Sequence, residues 1–187
     1  MRFGTLDWSP ALDHPHLLAA PVRQALEAWA QNSPDAVGQV LVAPIDPDRA
    51  DTADMTATYE LPLEASANCV LVAGKRNGEE RLAAAIVRAT TRADVNSTIK
   101  KLLDVRKASF LPTDRAVAEA GMEYGGITPI GLPGQYRVLL DTRTTASPAI
   151  IGSGIRGSKI LLPGEVLAEL PGAEIVAGLA KEIPGQD

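Results

Sequence analysis

The sequence predicts an α+β protein in which one mixed β-sheet is flanked by helices. Predicted strands and helices are interleaved without a strict βαβ period, and at least two pairs of strands have the spacing of hairpins. The chain has 187 residues, of which 45% are hydrophobic and 22% are charged, as in an ordinary globular domain with its own core. These observations favour a single α+β domain over a doubly wound parallel sheet.

The N-terminal part is predicted to contain a helix followed by a short strand. Residues 15–32 place apolar side chains at helical spacing, and Pro21 is expected to kink that helix or to restart it. The run GQVLVAPI at 38–45 is β-branched, which is typical of a strand. Asp51 or Thr52 is placed to cap a short helix after it.

The middle of the chain is predicted to form a hairpin and a helix. The run ANCVLVAG at 67–74 is typical of a buried strand, and RLAAAIVRAT at 81–90 is its expected partner across the Asn-Gly turn at 77–78. Asp94 is placed to cap a helix over residues 95–105.

The second half begins with a helix and a loop that is rich in glycine and proline. Thr113 is expected to cap a helix over 114–121, which Gly121 ends. The segment GGITPIGLPG at 125–134 predicts a loop. The remaining predicted elements are strands at 136–141, 148–154 and 158–163, a helix at 164–170 and a short run at 174–177.

The loop at 125–134 has no side chain for acid–base chemistry beyond one threonine hydroxyl. Its adjacent glycines permit backbone conformations closed to other residues, and Thr128 is biased to an extended conformation because it precedes Pro129. Backbone N–H groups can then point into open space and hold a carbonyl oxygen, a carboxylate or a phosphate. A structural turn between helix and strand explains the same pattern equally well.

The net charge of −5 hides an uneven distribution of charge along the chain. Residues 75–115 carry ten basic and five acidic side chains, whereas acidic side chains dominate on both sides of them. If folding gathers several of these cations on one face, they form a patch suited to phosphate groups. A solvated surface of mixed charge is the alternative.

Other reactive groups give weaker patterns. Cys69 lies in an apolar strand pattern with no histidine in the same element, which is typical of a buried cysteine and not of a nucleophile. His14 and His16 have no third histidine or second cysteine beside them, so no metal site is predicted. The GSGIRG segment at 152–157 leads into a strand and not a helix, so no dinucleotide cofactor is expected.

No apolar run approaches the roughly 18 residues that a membrane-spanning helix needs. The N-terminus lacks the charged-then-apolar layout of a signal peptide, and a single cysteine cannot form an internal disulfide. We therefore expect a cytoplasmic protein with no membrane partner.

Several segments together resemble the YbaK/prolyl-tRNA-synthetase-associated domain, a family of aminoacyl-tRNA editing deacylases. They are 67–74, 120–133, 138–141 and 152–162. The resemblance implies a partly barrel-like sheet flanked by helices. It spans residues 51–170, so we expect an editing domain at 51–187 and an extension at 1–50 that packs on the same domain.

The resemblance also implies an activity. In this family a mischarged amino acid, esterified to the terminal adenosine of tRNA, is held in a small pocket and hydrolysed. No protein nucleophile is needed, because the ester is already activated and the pocket needs only to hold the carbonyl, exclude wrong side chains and admit water. The implied partner is aminoacyl-tRNA, tRNA(Pro) with a small amino acid above all, alone or together with an aminoacyl-tRNA synthetase. No cofactor is implied, and the oligomeric state stays open.

The family's motifs assign site residues in this chain. Its first loop and second glycine-rich turn correspond to substrate-binding positions Gly125, Gly126, Ile127, Thr128, Pro129, Gly131, Gly152, Gly154, Arg156 and Gly157. Of these, Gly126 also counts as catalytic, together with Asn68 and the strand-end Asp141. The basic middle segment offers candidates for contacts with tRNA phosphates, namely Lys75, Arg76, Lys100 and Lys101.

One position departs from the family pattern. Many members carry a lysine where this chain has Asn68, which can donate a hydrogen bond but supplies no positive charge. Three hypotheses stay open: an editing deacylase, a module that binds tRNA or an aminoacyl-type ligand without hydrolysis, and a hydrolase of another small ester or amide.

Overall fold

The computed structural model describes residues 1–183 of the chain. Its strands are β1 (Arg2–Phe3), β2 (Leu6–Asp7), β3 (Ser9–Pro10), β4 (Leu41–Pro44), β5 (Ala67–Arg76), β6 (Glu79–Arg88), β7 (Thr91–Ala93), β8 (Ala108–Phe110), β9 (Tyr136–Asp141), β10 (Ala149–Gly152), β11 (Ser158–Leu162), β12 (Ala173–Val176) and β13 (Ala180–Glu182). Its α-helices are α1 (Ala20–Ala30), α2 (Pro34–Val37), α3 (Thr52–Thr58), α4 (Lys100–Leu102), α5 (Thr113–Ala120), α6 (Thr142–Thr145) and α7 (Gly164–Ala168). The predicted mixed α+β class is confirmed.

The central sheet has five strands in the order β12–β9–β6–β5–β8. β9 pairs in parallel with β6 and β12, whereas β5 pairs antiparallel with β6 and β8. β6 is covered on both faces, because Ala84 and Ile86 belong to one core cluster and Ala83 and Ala85 to another. A strand buried on both faces needs no polar alternation, which explains the unbroken run AAAIV.

The hairpin β5–β6 forms as predicted. Asn77 and Gly78 both have positive φ, 51° and 84°, as the two central residues of a type I′ turn require. The flanking Arg76 pairs with Glu79, and the register continues to Ala67 opposite Arg88. The turn therefore fixes the register of β5 with β6.

A second sheet has four antiparallel strands in the order β10–β11–β4–β3. Its strand β11 is buried on both faces. Ile160 and Leu162 belong to the main core, whereas Leu161 joins a third cluster that contains Trp8 and Met55. Side chains alternate along a strand, so position 159, two residues before Leu161, faces the same side as Leu161.

Residues 1–50 supply parts of this second sheet and of the main core. β4 pairs with β11 over four residues, and Val22, Leu26 and Trp29 of α1 are buried in the main cluster. The helix predicted over 15–32 is divided near Pro21, in agreement with the expected restart, and it ends at Ala30. A short 3₁₀ turn at Pro15–Leu17 precedes α1, and Pro21 lies in the first turn, where a missing N–H costs nothing.

The helices are short, and within residues 1–183 α1 is the longest with 11 residues. Asp94 caps its helix as predicted by accepting from the Thr98 N–H, although Val95–Ile99 form a π-helical turn before α4. Gly121 ends α5 in the left-handed conformation, whereas Thr113 is the first helical residue and not its cap. Within residues 1–183, no helix combines the length and apolar character that crossing a membrane requires.

Candidate functional site

A cavity of about 300 Å³ opens between the two sheets, where the start of β5 meets β10, β11, α3 and the glycine loop. Its walls are Ala50, Asp51, Thr52, Met55, Ser66, Ala67, Asn68, Cys69, Tyr124, Gly125, Ile127, Ile150, Ile151, Gly152 and Lys159. The cavity thus brings together residues from all the segments that carry the family resemblance except the strand at 138–141.

The two glycine-rich segments touch each other through their backbones. The Gly154 N–H donates to the Gly126 carbonyl at 2.7 Å. A Cβ on Gly126 would lie 2.6 Å from the backbone of Ile155, and a Cβ on Gly152 would lie 2.2 Å from the Gly126 carbonyl oxygen. Glycine is therefore needed at both positions for this close approach.

Gly126 does not offer the free backbone donor that the sequence suggested. Its N–H already donates to the carbonyl of Glu123 at 2.9 Å. Gly126 therefore shapes the site by packing, and a bulkier residue there would push the 152–157 turn away as well as change the cavity.

The predicted loop is divided between two places. Gly125 and Ile127 line the cavity, but Pro129 and Gly131 line a separate groove beside α1. Gly131 has φ of 83°, and a Cβ there would lie 2.3 Å from the Pro21 carbonyl oxygen, so the chain turns tightly against α1 at this point. The structure therefore does not bring the second half of the loop to the cavity.

Thr128 lies between those two halves and is fully buried. Its hydroxyl has no hydrogen-bond partner among the residues that the structure describes, and the residue does not line the cavity. The structure places Thr128 in the interior behind the site.

Arg156 stands at the rim of the cavity. Its guanidinium lies 3.3 Å from the Asp51 carboxylate at the start of α3 and 5.9 Å from the ring centre of Tyr124. The nearby Glu123 carboxylate accepts the Arg156 backbone N–H at 2.6 Å. Arg156 thus bridges one side of the opening, while Gly154 and Gly157 shape the turn outside the cavity wall.

Asn68 lies at the opening, at the start of β5. Its Oδ1 accepts a hydrogen bond from the Thr52 hydroxyl at 3.0 Å. Its amide N–H groups have no acceptor within residues 1–183, so they are available to a ligand at the cavity. The predicted helix cap at this place takes another form, because Thr52 bonds to Asn68 and Asp51 pairs with Arg156.

Asp141 lies away from the cavity. Its carboxylate is fully buried and accepts the backbone N–H groups of Arg143 at 3.0 Å and Ala180 at 2.9 Å. It caps the N-terminus of α6 and holds the start of β13 by a hydrogen bond, so its role is structural. The geometry does not support the predicted catalytic role of Asp141.

The predicted phosphate contacts also lie apart from the cavity. Lys75 is seven residues along β5 from Asn68, about 23 Å away for an extended strand. Arg76 is paired with Asp104 at 3.2 Å. Lys100 and Lys101 belong to a helix that packs on the other face of the central sheet. These four residues do not form one patch around the site.

Lys159 is a site residue that the sequence analysis missed. It is only 8% exposed, yet it lines the cavity, and its Nζ donates to the Gly125 carbonyl at 2.9 Å. Burial, followed by the charge of Arg156, lowers the pKa of the Lys159 ammonium to about 8, and Asp51 partly opposes this shift. A lone lysine inside the apolar run SKILLP was the available signal.

Ser66 was also missed. It is 3% exposed, it lines the cavity, and its hydroxyl has no hydrogen-bond partner in the described part of the chain. A buried hydroxyl without a partner is costly, so its position in a cavity wall suggests that a ligand or water completes its bonding. Nothing in the sequence marks this serine among the others.

The cavity holds one thiol, that of Cys69. Burial raises the pKa of this thiol to about 12, so it stays protonated at neutral pH and is a poor nucleophile. Within residues 1–183 no three His, Cys, Asp or Glu side chains are arranged to hold a metal ion. The site therefore offers one buried ammonium, hydroxyl and amide donors, apolar walls, and the carboxylate of Asp51, which is paired with Arg156.

Solved structures with the same fold are known. A hypothetical protein is similar with a TM-score of 0.70 and 17% identity, over 84% of this chain and 99% of that chain. A protein proposed to be a trans-editing enzyme for prolyl tRNA synthetase is similar with a TM-score of 0.66 and 13% identity, over 85% and 98%. At these identities the likeness shows the fold alone.

The fold also occurs as part of a longer chain. A protein proposed to act in signal transduction in Marinobacter aquaeolei VT8 is similar with a TM-score of 0.58 and 17% identity. The match covers 88% of this chain but 31% of that one. No curated protein sequence matches this chain significantly.

The sequence itself identifies the family. The aminoacyl-tRNA editing domain matches residues 46–170, which is about two thirds of the chain and includes every wall of the cavity. The chain therefore belongs to the aminoacyl-tRNA editing domain family.

Proposed function

We propose that this protein is a trans-editing deacylase that hydrolyses the ester between a small mischarged amino acid and tRNA, with tRNA(Pro) as the first candidate. The observation that supports this most is the content of the cavity: a buried ammonium and several hydrogen-bond donors, a protonated thiol, and one carboxylate, Asp51, which is paired with Arg156. Such a site suits an ester that is already activated and needs only to be positioned beside water.

The size of the cavity supports a small acyl group. About 300 Å³ is at the lower end of the range for small-molecule sites, which suits an aminoacyl group. Met55, Ile127 and Ile151 form apolar walls that would limit the length of the side chain. The terminal adenosine would stay at the opening, near Asn68 and Tyr124.

The tRNA body would then lie outside the cavity. Lys75, about 23 Å along β5 from Asn68, remains a candidate for contact with a backbone phosphate, because an acceptor stem extends that far. Arg76 is already paired with Asp104 and is a weaker candidate. A synthetase that supplies the mischarged tRNA is the proposed partner.

The experiment is a panel of mischarged tRNAs, such as alanyl- and cysteinyl-tRNA(Pro), with release of the amino acid followed over time. The protein should hydrolyse at least one of them. Replacing Ile127 with Trp should remove hydrolysis, because the indole fills the cavity. The matched control is Ile175→Trp, since Ile175 is exposed on β12 outside the cavity and should leave the rate unchanged.

A module that binds without hydrolysis is the second candidate, and Asn68 is the observation that favours it, because it supplies no charge at the family's lysine position. Binding of tRNA without release of any amino acid across the panel would support this candidate and contradict the first. Neither binding nor release would leave the third hypothesis, a hydrolase of another small ester or amide.

A further inference from the structure

Lys159 and Ser66 both line the cavity, and they flank β10 on opposite sides. Lys159 of β11 pairs with Gly152 of β10, and Ser66 bridges to Ile150, two residues earlier on β10. Gly152 and Ile150 are two residues apart on β10, so they and the residues paired with them face the same side. Both polar groups therefore point to the same side of this sheet and into the same cavity.

Both groups have unused hydrogen-bonding capacity. Of the three N–H bonds of the Lys159 ammonium, one is donated to the Gly125 carbonyl, and the others have no acceptor within residues 1–183. The Ser66 hydroxyl has no partner in the same described part of the chain. Two unsatisfied donors in one buried wall form a site for an electronegative oxygen.

The charge of Lys159 is not neutralised by direct contact. The ionisable groups around it are Asp51 at the start of α3, Arg156 on the second turn, Cys69 on β5 and Tyr124 on the loop. Asp51 is engaged with Arg156 at 3.3 Å, and no carboxylate within residues 1–183 reaches the ammonium. A buried cation without an anion is costly unless a ligand completes it.

We propose that Lys159 is the catalytic cation of this site and that, with Ser66, it forms the oxyanion hole for the acyl carbonyl. This inference rests on the proposed function. It also gives a physical reason why the loss of charge at Asn68 is tolerated: the positive group enters the cavity from β11 instead of β5.

In the proposed step a water oxygen forms a bond to the carbonyl carbon, and the C=O π electrons move to the carbonyl oxygen. The oxyanion lies against the Lys159 ammonium and the Ser66 hydroxyl, which stabilise it without giving up a proton. The oxyanion then re-forms the C=O bond, the bond to the ribose oxygen breaks, and that oxygen takes the proton lost by water. The products are an amino acid and a free tRNA end.

The test compares two analogues that cannot be hydrolysed. One is 3′-deoxy-3′-(alanylamino)adenosine, whose amide carbonyl is neutral. The other is adenosine 3′-(1-aminoethyl)phosphonate, whose tetrahedral phosphonate carries a negative charge and resembles the oxyanion. Calorimetric titration of the full chain with each analogue gives the ratio of the two affinities, which measures how strongly the site favours the anion.

The unmodified protein should bind the phosphonate at least tenfold more tightly than the amide. Lys159→Met, which keeps an unbranched side chain shorter by one atom and removes its charge, should reduce that ratio to about one. Ser66→Ala should reduce it partly. Lys181→Met removes one positive charge from an exposed position on β13 and should leave the ratio unchanged.

The pH dependence of this affinity ratio distinguishes a charged role of Lys159 from a purely structural one, because a structural role would not make the ratio depend on pH. An ammonium is needed for the preference, so the ratio should be constant below pH 8 and fall as the pH rises above it. In Lys159→Met this decline should be absent.

The outcomes separate this inference from the proposed function. If neither analogue binds to the unmodified protein, the acyl-adenosine ligand, and with it the proposed function, is rejected. If both bind and Lys159→Met, shown to be folded by circular dichroism, keeps the preference for the phosphonate, the role of Lys159 is rejected while the proposed function stands.

Discussion

Two buried cations lie within residues 1–183, and their surroundings differ. Arg88 at the end of β6 is 4% exposed, and Lys159 on β11 is 8% exposed. The guanidinium of Arg88 donates hydrogen bonds to the carbonyl oxygens of Ala65, Arg143, Thr144, Ser147 and Pro148. The ammonium of Lys159 donates to one carbonyl and faces a cavity.

The difference indicates what each cation is for. Arg88 has its donors fully used, and it joins the segment before β5 to the segment before β10, so it holds the two sides of the cavity in place. Lys159 keeps donors free in a cavity wall. A buried charge whose bonding is complete supports the fold, whereas one whose bonding is incomplete suggests a ligand.

The largest expected effect is on stability and comes from Arg88. Arg88→Met removes the donors of five carbonyl oxygens at once, and leaving buried acceptors without partners should lower the free energy of unfolding by about 3–5 kcal/mol. Urea denaturation followed by circular dichroism measures this loss. Arg92→Met, at an exposed arginine on β7, is the control and should change stability little; an equally small loss for Arg88→Met would contradict the structural role.

A smaller effect is expected for Lys159, and it depends on pH. Its pKa is about 8 in the folded protein against 10.5 for an ordinary lysine, so between these values the unfolded chain binds more protons than the folded one. The contribution of Lys159 to the free energy of unfolding therefore increases between about pH 8 and pH 10.5, by about 1–3 kcal/mol.

Lys159→Met tests this directly. At pH 7 the variant should be as stable as the unmodified protein or more stable, because it no longer buries a charge. Its advantage should shrink toward pH 10, as the lysine of the unmodified protein becomes neutral. Comparing the two proteins by urea denaturation cancels the ionisation of Cys69, which the two share. A variant that is less stable at pH 7 would place Lys159 with Arg88 as a structural cation.

A stability effect of the same size as that at Lys159 is expected at Asp141, a buried anion whose two carboxylate oxygens both accept hydrogen bonds. Asp141→Asn should lower the free energy of unfolding by about 1–3 kcal/mol. The carboxylate accepts hydrogen bonds from two backbone N–H groups, and one of these groups loses its acceptor in the variant. Asp7→Asn, at an exposed aspartate, is the control. If the variant at 141 is folded and hydrolysis persists with an unchanged KM, its position outside the cavity is supported; a fall in kcat without a loss of stability would restore a catalytic role.

Local signals explain what the sequence could predict. The Asn-Gly turn, the Asp94 cap and Gly121 each act within a few residues, and each appears as expected. The parallel pairing of β9 with β6 and β12 could not be predicted, because it depends on contacts between segments that are distant in the chain.

The site was predicted less completely than the fold. Gly125 and Ile127 of the loop at 125–134 line the cavity, but the division of this loop between two faces depends on its contact with α1. Lys159 was missed because β11 is buried on both sides. Such a strand has no polar alternation to show which side chain faces a cavity.

The pairing of β4 with β11 determines where the chain can be shortened without loss of folding. The family match begins at residue 46, after β4 has ended at Pro44. A fragment that starts there would leave β11, the strand of Lys159, as an open sheet edge with unpaired N–H and C=O groups and apolar side chains beside them. We expect such a fragment to aggregate, so the boundary of the family is not a boundary of independent folding.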